Sequence, residues 1–132
     1  MIIDTSVLIA IVKEEPEAAH FSKILEAAEV LRISAANYFE ASIVVGGFRN
    51  PRLSARLDEI LQEAEVAIEP FTAEQAQIAR QAYRDYGRGS GHQANLNFGD
   101  CFAYALARVK REPLLYKGDD FVHTDVRSAT QL

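Results

Sequence analysis

Met1-Ile-Ile-Asp-Thr-Ser-Val-Leu-Ile-Ala-Ile-Val12 is the stretch on which the reading of this chain turns. Ile2 and Ile3 are β-branched and apolar and suit a buried strand. Asp4 stops that run, Thr5 and Ser6 offer hydroxyls to cap a helix, and Val7, Leu8, Ile11 and Val12 then recur at helical spacing. A strand, an acid, a tight turn and a helix follow within twelve residues. An acid at the C-terminal end of a buried parallel strand stands where open α/β sheets hold their ligands.

Outward from this unit, the same alternation continues. Apolar periodicity and capping signals predict helices over 17–29, 35–46, 52–64, 72–86 and 99–110, the fifth opened by a Thr72/Gln75 capping box. Short apolar runs predict strands at 30–33, 66–68 and 114–116, with a last extended piece near Val126. Gly46-Gly47 and Asn50-Pro51 mark a break, and 87–97, with three glycines, reads as a mobile loop open to substrate. The predicted fold is α/β: one domain over 1–132, with a central parallel sheet of four to five short strands and helices on both faces. No repeat, low-complexity tract or linker interrupts it.

Composition narrows the chemistry. With 132 residues the chain can bury a proper core. Cys101 is its only cysteine, so no internal disulfide or thiolate cluster can form, and His20, His92 and His123 share no ligand spacing, which disfavours zinc. No apolar run is long enough to span a membrane, and Asp4 stands where a signal peptide carries positive charge, so the expected compartment is the cytoplasm. The net charge of −5 supplies no general attraction for nucleic acid, which leaves local basic patches or a bound metal to make such contacts.

The acids are informative by position. Asp4 ends the first strand, Glu40 sits at the border of an apolar helix face, Asp100 lies in the first turn of the sixth helix, and Asp119 and Asp120 follow the fourth strand. In a parallel sheet, strand ends and the helix starts after them share one edge, so Asp4, Asp100 and the Asp119-Asp120 pair can meet there while Glu40 joins from the side. Carboxylates gathered in one pocket repel one another and lose solvation. A divalent cation relieves both costs, and oxygen-only ligands favour Mg²⁺ or Mn²⁺. Such an ion polarises a phosphoryl oxygen and activates water, so the expected reaction is phosphodiester hydrolysis. Each acid taken alone also has a plain structural use, as a helix-start, turn or surface residue.

Arg80, Arg84 and Arg88 recur every fourth residue and form either a phosphate-tracking stripe or a solvated helix face. Lys117, beside the acidic turn, is a candidate RNA contact or a plain surface lysine, and Phe39, Phe98, Phe102 and Phe121 are expected to pack in the core.

Taken together, Met1-Ile-Ile-Asp-Thr-Ser-Val-Leu8, Asn37-Tyr-Phe-Glu-Ala41, Leu96-Asn-Phe-Gly-Asp-Cys-Phe102 and Leu115-Tyr-Lys-Gly-Asp-Asp-Phe121 resemble the PIN-domain ribonucleases, and most closely the VapC toxins of type II toxin–antitoxin pairs, over essentially the whole chain. The resemblance implies a Mg²⁺-dependent endoribonuclease, with Mn²⁺ as substitute, in which Asp4, Glu40 and Asp100 match the central acids. Either Asp119 or Asp120 completes the set, with Asp120 preferred because it keeps the Asp-Phe pair. Thr5, Ser6 and Asn97 match supporting positions. The resemblance further implies a homodimer, a cognate VapB-type antitoxin assembled with the toxin, and RNA as substrate. The alternatives are a non-toxin PIN nuclease of RNA processing and a catalytically silent PIN-like module that binds a partner.

Overall fold

The computed structural model describes residues 1–131. Strands β1 (Ile2–Ile3), β2 (Arg32–Ser34), β3 (Ala67–Glu69) and β4 (Leu114–Leu115) form a parallel sheet in the order β3-β2-β1-β4. Ile2 stands level with Arg32 on one side and Leu114 on the other, and Ile33 with Ile68. The helices are α1 (Thr5–Val12), α2 (Ala18–Ala27), α3 (Ala35–Gly47), α4 (Pro51–Glu63), α5 (Ala73–Tyr86) and α6 (Phe98–Lys110), and a 3₁₀ turn at Ala129–Gln131 follows.

Strand alternation divides the core in two. Ile3, Ile33 and Leu115 pack among Val7, Leu8, Ile11, Phe21, Leu25, Leu57 and Ile60, under α1 to α4. Ile2 and Leu114 point the other way, into Leu96, Ala103, Leu106 and Phe121, where α5 and α6 close the second face. Burying each such aliphatic side chain contributes about 1.5–3 kcal/mol. The chain runs out from β1 in both directions, to β2 on one side and to β4 on the other. The crevice at the carboxyl end of β1 is therefore the topological switch point of the sheet.

Element boundaries shift in ways that local chemistry explains. Asp4, not Thr5 or Ser6, is the N-cap of α1, its carboxylate accepting from the Ser6 N–H. The second strand starts at Arg32 instead of residue 30, and Val30 is left 49% exposed. Gly46-Gly47 remains inside α3; the reversal falls one step later, at Arg49 with φ +53°, before Asn50 caps α4 with Pro51 in its first turn. Thr72 caps α5, but only half of the expected capping box forms, because the Gln75 side chain donates to the Pro70 carbonyl instead. Residues 87–97 are tied down more than a mobile loop would be. Gly87 bridges Leu96, the Arg88 and Leu96 N–H groups donate to Leu96 and Tyr86 carbonyls at 2.9 and 2.8 Å, and Ala94 and Leu96 are buried. The final extended piece is a single bridge between Leu114 and Ser128, slightly beyond the expected position. Among the described residues no helix is long and apolar enough to cross a membrane.

Candidate active site

Asp4 leaves the core at the switch point with only 5% of its surface exposed. Ser6 holds it twice, its N–H at 3.1 Å and its hydroxyl at 2.5 Å from Asp4 Oδ2. The Ser6 oxygen in turn accepts the Lys117 N–H at 2.9 Å, which ties the turn after β4 to the start of α1.

Asp100 occupies the third position of α6 and forms a complete capping box with Asn97. The Asn97 N–H donates to Asp100 Oδ2 and the Asp100 N–H to Asn97 Oδ1, each at 2.9 Å. Asp4 and Asp100 thus each serve a helix start, the plain structural use that their positions also allow.

Their proton affinities separate them from ordinary caps. Burial pushes Asp4 up from 3.8 to about 6, the Ser6 hydrogen bonds oppose this, and the charges of Glu40 and Asp120 add to it. Burial pushes Asp100 up to about 8 against the Asn97 hydrogen bond, with Asp120 and Asp4 raising it further. Asp4 is thus close enough to feel the charges of Glu40 and Asp120, and Asp100 those of Asp120 and Asp4. Asp120 is the acid of the Gly118 turn that acts on the other carboxyls. Both acids of the turn are exposed, and the Asp119 backbone carbonyl accepts from the Val122 N–H.

Glu40 enters from α3 and is half-buried. The Thr5 hydroxyl donates to its Oε1 at 2.6 Å, so Thr5 serves Glu40 and not Asp4. Asn37, fully buried one turn earlier on α3, also reaches Oε1 at 3.3 Å and donates to the Gly99 carbonyl at 3.0 Å. A Cβ on Gly99 would lie 2.1 Å from Glu40 Oε2, so any larger residue there would push this carboxylate out of its present place. Sequence reasoning missed both residues. The available signals were an asparagine three positions before an acid on a helix, and a glycine directly before Asp100.

The remaining candidates fall outside the acid cluster. Lys117 does not offer a free ammonium, because Glu15 and Glu17 hold it at 2.7 and 2.8 Å. Arg80, Arg84 and Arg88 are exposed and, among the described residues, form no ion pair. The Gly87–Leu96 bridge brings the end of this stripe beside Asn97. Phe121 is buried and Phe102 half-buried as expected, but Phe39 and Phe98, next to Glu40 and Asp100 in the chain, are 65% and 78% exposed. Helical and capped backbone turns these two rings outward while the neighbouring acids turn in. Burial and the Asp100 charge push the Cys101 thiol up to about 11, which removes it as a nucleophile or thiolate ligand.

The donor set is all oxygen, poor in compensating positive charge, and reluctant to ionise without it. That chemistry fits a hard divalent cation. Among the described residues no three His, Cys, Asp or Glu groups already stand in an arrangement that could hold a metal ion, so the fit lies in the donors and not in a preformed cage.

Comparison with known proteins places the chain in a family. The PIN domain family matches residues 1–127. Ribonuclease VapC28 of Mycobacterium tuberculosis is 55% identical over 129 residues, 98% of this chain and 97% of that protein. Two solved structures share the fold. VapC20 of Mycobacterium tuberculosis, described as a sarcin-ricin-loop-cleaving toxin, has a TM-score of 0.73 at 18% identity and covers 95% of each chain. VapBC2 of Rickettsia felis, bound to a DNA fragment from its promoter, has a TM-score of 0.75 at 13% identity, covering 96% of this chain and 94% of that one.

Proposed function

The chain belongs to the PIN-domain family and, within it, to the VapC ribonucleases, and on that premise we propose that it is the toxin of a type II toxin–antitoxin pair, an endoribonuclease that hydrolyses RNA phosphodiesters with Mg²⁺ or Mn²⁺. The observation that carries this reading is the convergence of Asp4, Glu40, Asp100 and Asp120 at the sheet's switch point, with the proton affinities of Asp4 and Asp100 raised by burial and by neighbouring acids.

Asp4 and Asp100 would hold the cation, with Glu40 and Asp120 completing its surroundings. Bound there, it would polarise the scissile phosphate and make water a better nucleophile. The chain's own contribution is positioning and proton storage. Ser6 and Asn97 each hold one oxygen of an acid and leave the other free. Burial and the neighbouring acids favour the protonated form of the Asp100 carboxyl while the site is empty of positive charge, and a bound cation would favour the ionised form. The Arg80, Arg84 and Arg88 stripe would steady the RNA backbone without reading its sequence.

Partners follow from the surface. Phe39, Ile43 and Phe98 are large, apolar and exposed around the acids, a surface suited to cover by a cognate VapB-type antitoxin in a toxin–antitoxin hetero-oligomer and by a second copy in a homodimer. The place of action is the cytoplasm.

The test is cleavage of cellular RNA by purified protein. Activity should appear with Mn²⁺, vanish with EDTA, and be blocked by the small neighbouring gene product. Cleavage untouched by chelator would remove the metal from the reading, and expression without growth arrest would remove the toxin.

A further inference from the structure

We infer that Asn37 is a positioning residue for the reaction: its side-chain amide fixes Glu40 against the start of α6 and thereby sets the spacing between the acids of α3 and α6. This rests on the proposed reading of Glu40 and Asp100 as cation-holding groups.

Asn37 has no exposed surface, and asparagine is a poor choice for the buried face of a helix. Its two N–H bonds are both used, one on the Gly99 carbonyl at 3.0 Å and one on Glu40 Oε1 at 3.3 Å. Its Oδ1 is buried without a hydrogen-bond partner. An apolar side chain would avoid that orphaned acceptor, so the reason for an amide here lies in its donors. The orientation is unambiguous, since a flipped amide would aim oxygen at a carbonyl and a carboxylate.

The two acceptors belong to different helices, and each adjoins an acid. Gly99 directly precedes Asp100, and Glu40 is itself the acid of α3. Thr5, directly after Asp4, adds the third link, its hydroxyl 2.6 Å from Glu40 Oε1 and 3.2 Å from the Asn37 carbonyl. With a single proton, that hydroxyl serves the nearer oxygen. The acid-bearing parts of α1, α3 and α6 are therefore joined through the Glu40 carboxylate, which Thr5 reaches from α1, and through the Asn37 amide, which alone reaches α6. Without it, Glu40 keeps one hydrogen bond and can swing away from Gly99, where its Oε2 is packed too closely for any Cβ.

The test uses Mn²⁺ affinity, read by electron paramagnetic resonance on the purified protein, alongside kcat and KM for RNA. Asn37→Ala should weaken Mn²⁺ binding about 10-fold or more and lower kcat in step, with KM for RNA changed less than about twofold. In an Glu40→Gln background the same substitution should cost nothing further in Mn²⁺ affinity, because its route runs through that carboxylate. Gly99→Ala, which displaces Glu40 while leaving Asn37 in place, should reproduce the loss, and it decides the matter if Asn37→Ala fails to melt cooperatively. Unchanged Mn²⁺ affinity in either single variant, or an equal loss in the Glu40→Gln background, overturns the inference. Wild-type protein that cleaves RNA but binds no Mn²⁺ overturns the proposed metal chemistry and this inference together.

Discussion

The two ends of the sheet treat charge in opposite ways. At the end where β1, β2 and β4 begin, the Met1 ammonium, Glu112 and Arg32 form a chain of pairs that Arg32 carries across to Glu69, the last residue of β3, and on to Lys110, with Arg32 2.8 Å from both Glu112 and Glu69. Burial alone would raise Glu112, but hydrogen bonds from the Met1 ammonium and Arg32 outweigh it and hold the carboxyl below its usual value. At the end where the strands finish, Asp4 and Asp100 are held by hydroxyl and N–H groups and no cation, and both rise. Around Arg32 charge is neutralised within the chain, and at Asp4 and Asp100 it is left uncompensated, as the proposed cation-binding role requires.

The contrast breaks most decisively at Asp4. Asp4→Asn or Asp100→Asn should lower RNA cleavage by about 10²–10³-fold or more. The same changes should raise, not lower, the melting temperature of the metal-free protein, since each removes a carboxylate that the fold disfavours. A destabilised Asp4→Asn protein with full activity would reverse the assignment of the two ends.

Acidity tests the same point without mutation. A carboxyl whose affinity for protons is raised by folding leaves the native state holding more protons than the unfolded chain, so stability falls as pH rises. For Asp4, moved from 3.8 to about 6, the effect is roughly 3 kcal/mol across that interval. Asp100 extends the fall towards pH 8. Metal-free protein should therefore melt higher at pH 5 than at pH 8, by roughly 5–10 °C, and Mn²⁺ should restore most of the loss at pH 8. Glu112 works in the opposite sense. Its stabilisation is present above its ordinary value of 4.5 and disappears as pH falls through its lower folded value. A thermal-melt series from pH 3 to 9 should show a maximum near or below about pH 4, where the fall from Asp4 and Asp100 begins, and a curve that rises steadily to pH 8 would refute the description of the acidic end.

A smaller effect is expected at the paired end. Glu112→Gln should cost about 1–2 kcal/mol in a denaturant titration and leave RNA cleavage per folded molecule within about twofold. The least effect belongs to the arginine stripe. Replacing any one of Arg80, Arg84 and Arg88 by alanine should weaken RNA binding modestly, flatten its dependence on salt by about 0.7 in log–log slope per lost phosphate contact, and leave stability unchanged. Full salt dependence in the triple variant would assign the stripe to solvent.

Patterning along the chain was enough to predict the α/β alternation and the parallel sheet, because strand and helix periods and cap residues are local signals that tertiary packing did not override. The register of caps was less legible. Asp4 displaced Thr5 and Ser6 as the cap of α1 because its carboxylate reaches the Ser6 N–H from the strand end itself. Which rings would be buried depended on how each helix was rolled against the sheet, so Phe39 and Phe98 could not be told from Phe121 by composition. The influence of Asp120 on Asp100, the capture of Lys117 by Glu15 and Glu17, and the meeting of Asn37 with Gly99 all join residues far apart in the chain or turn on a side chain's direction. Sequence alone determined which residues carry oxygen donors and which elements present them. Only the tertiary structure decided which donors meet, because meeting depends on crossings between elements whose spacing along the chain carries no distance in space.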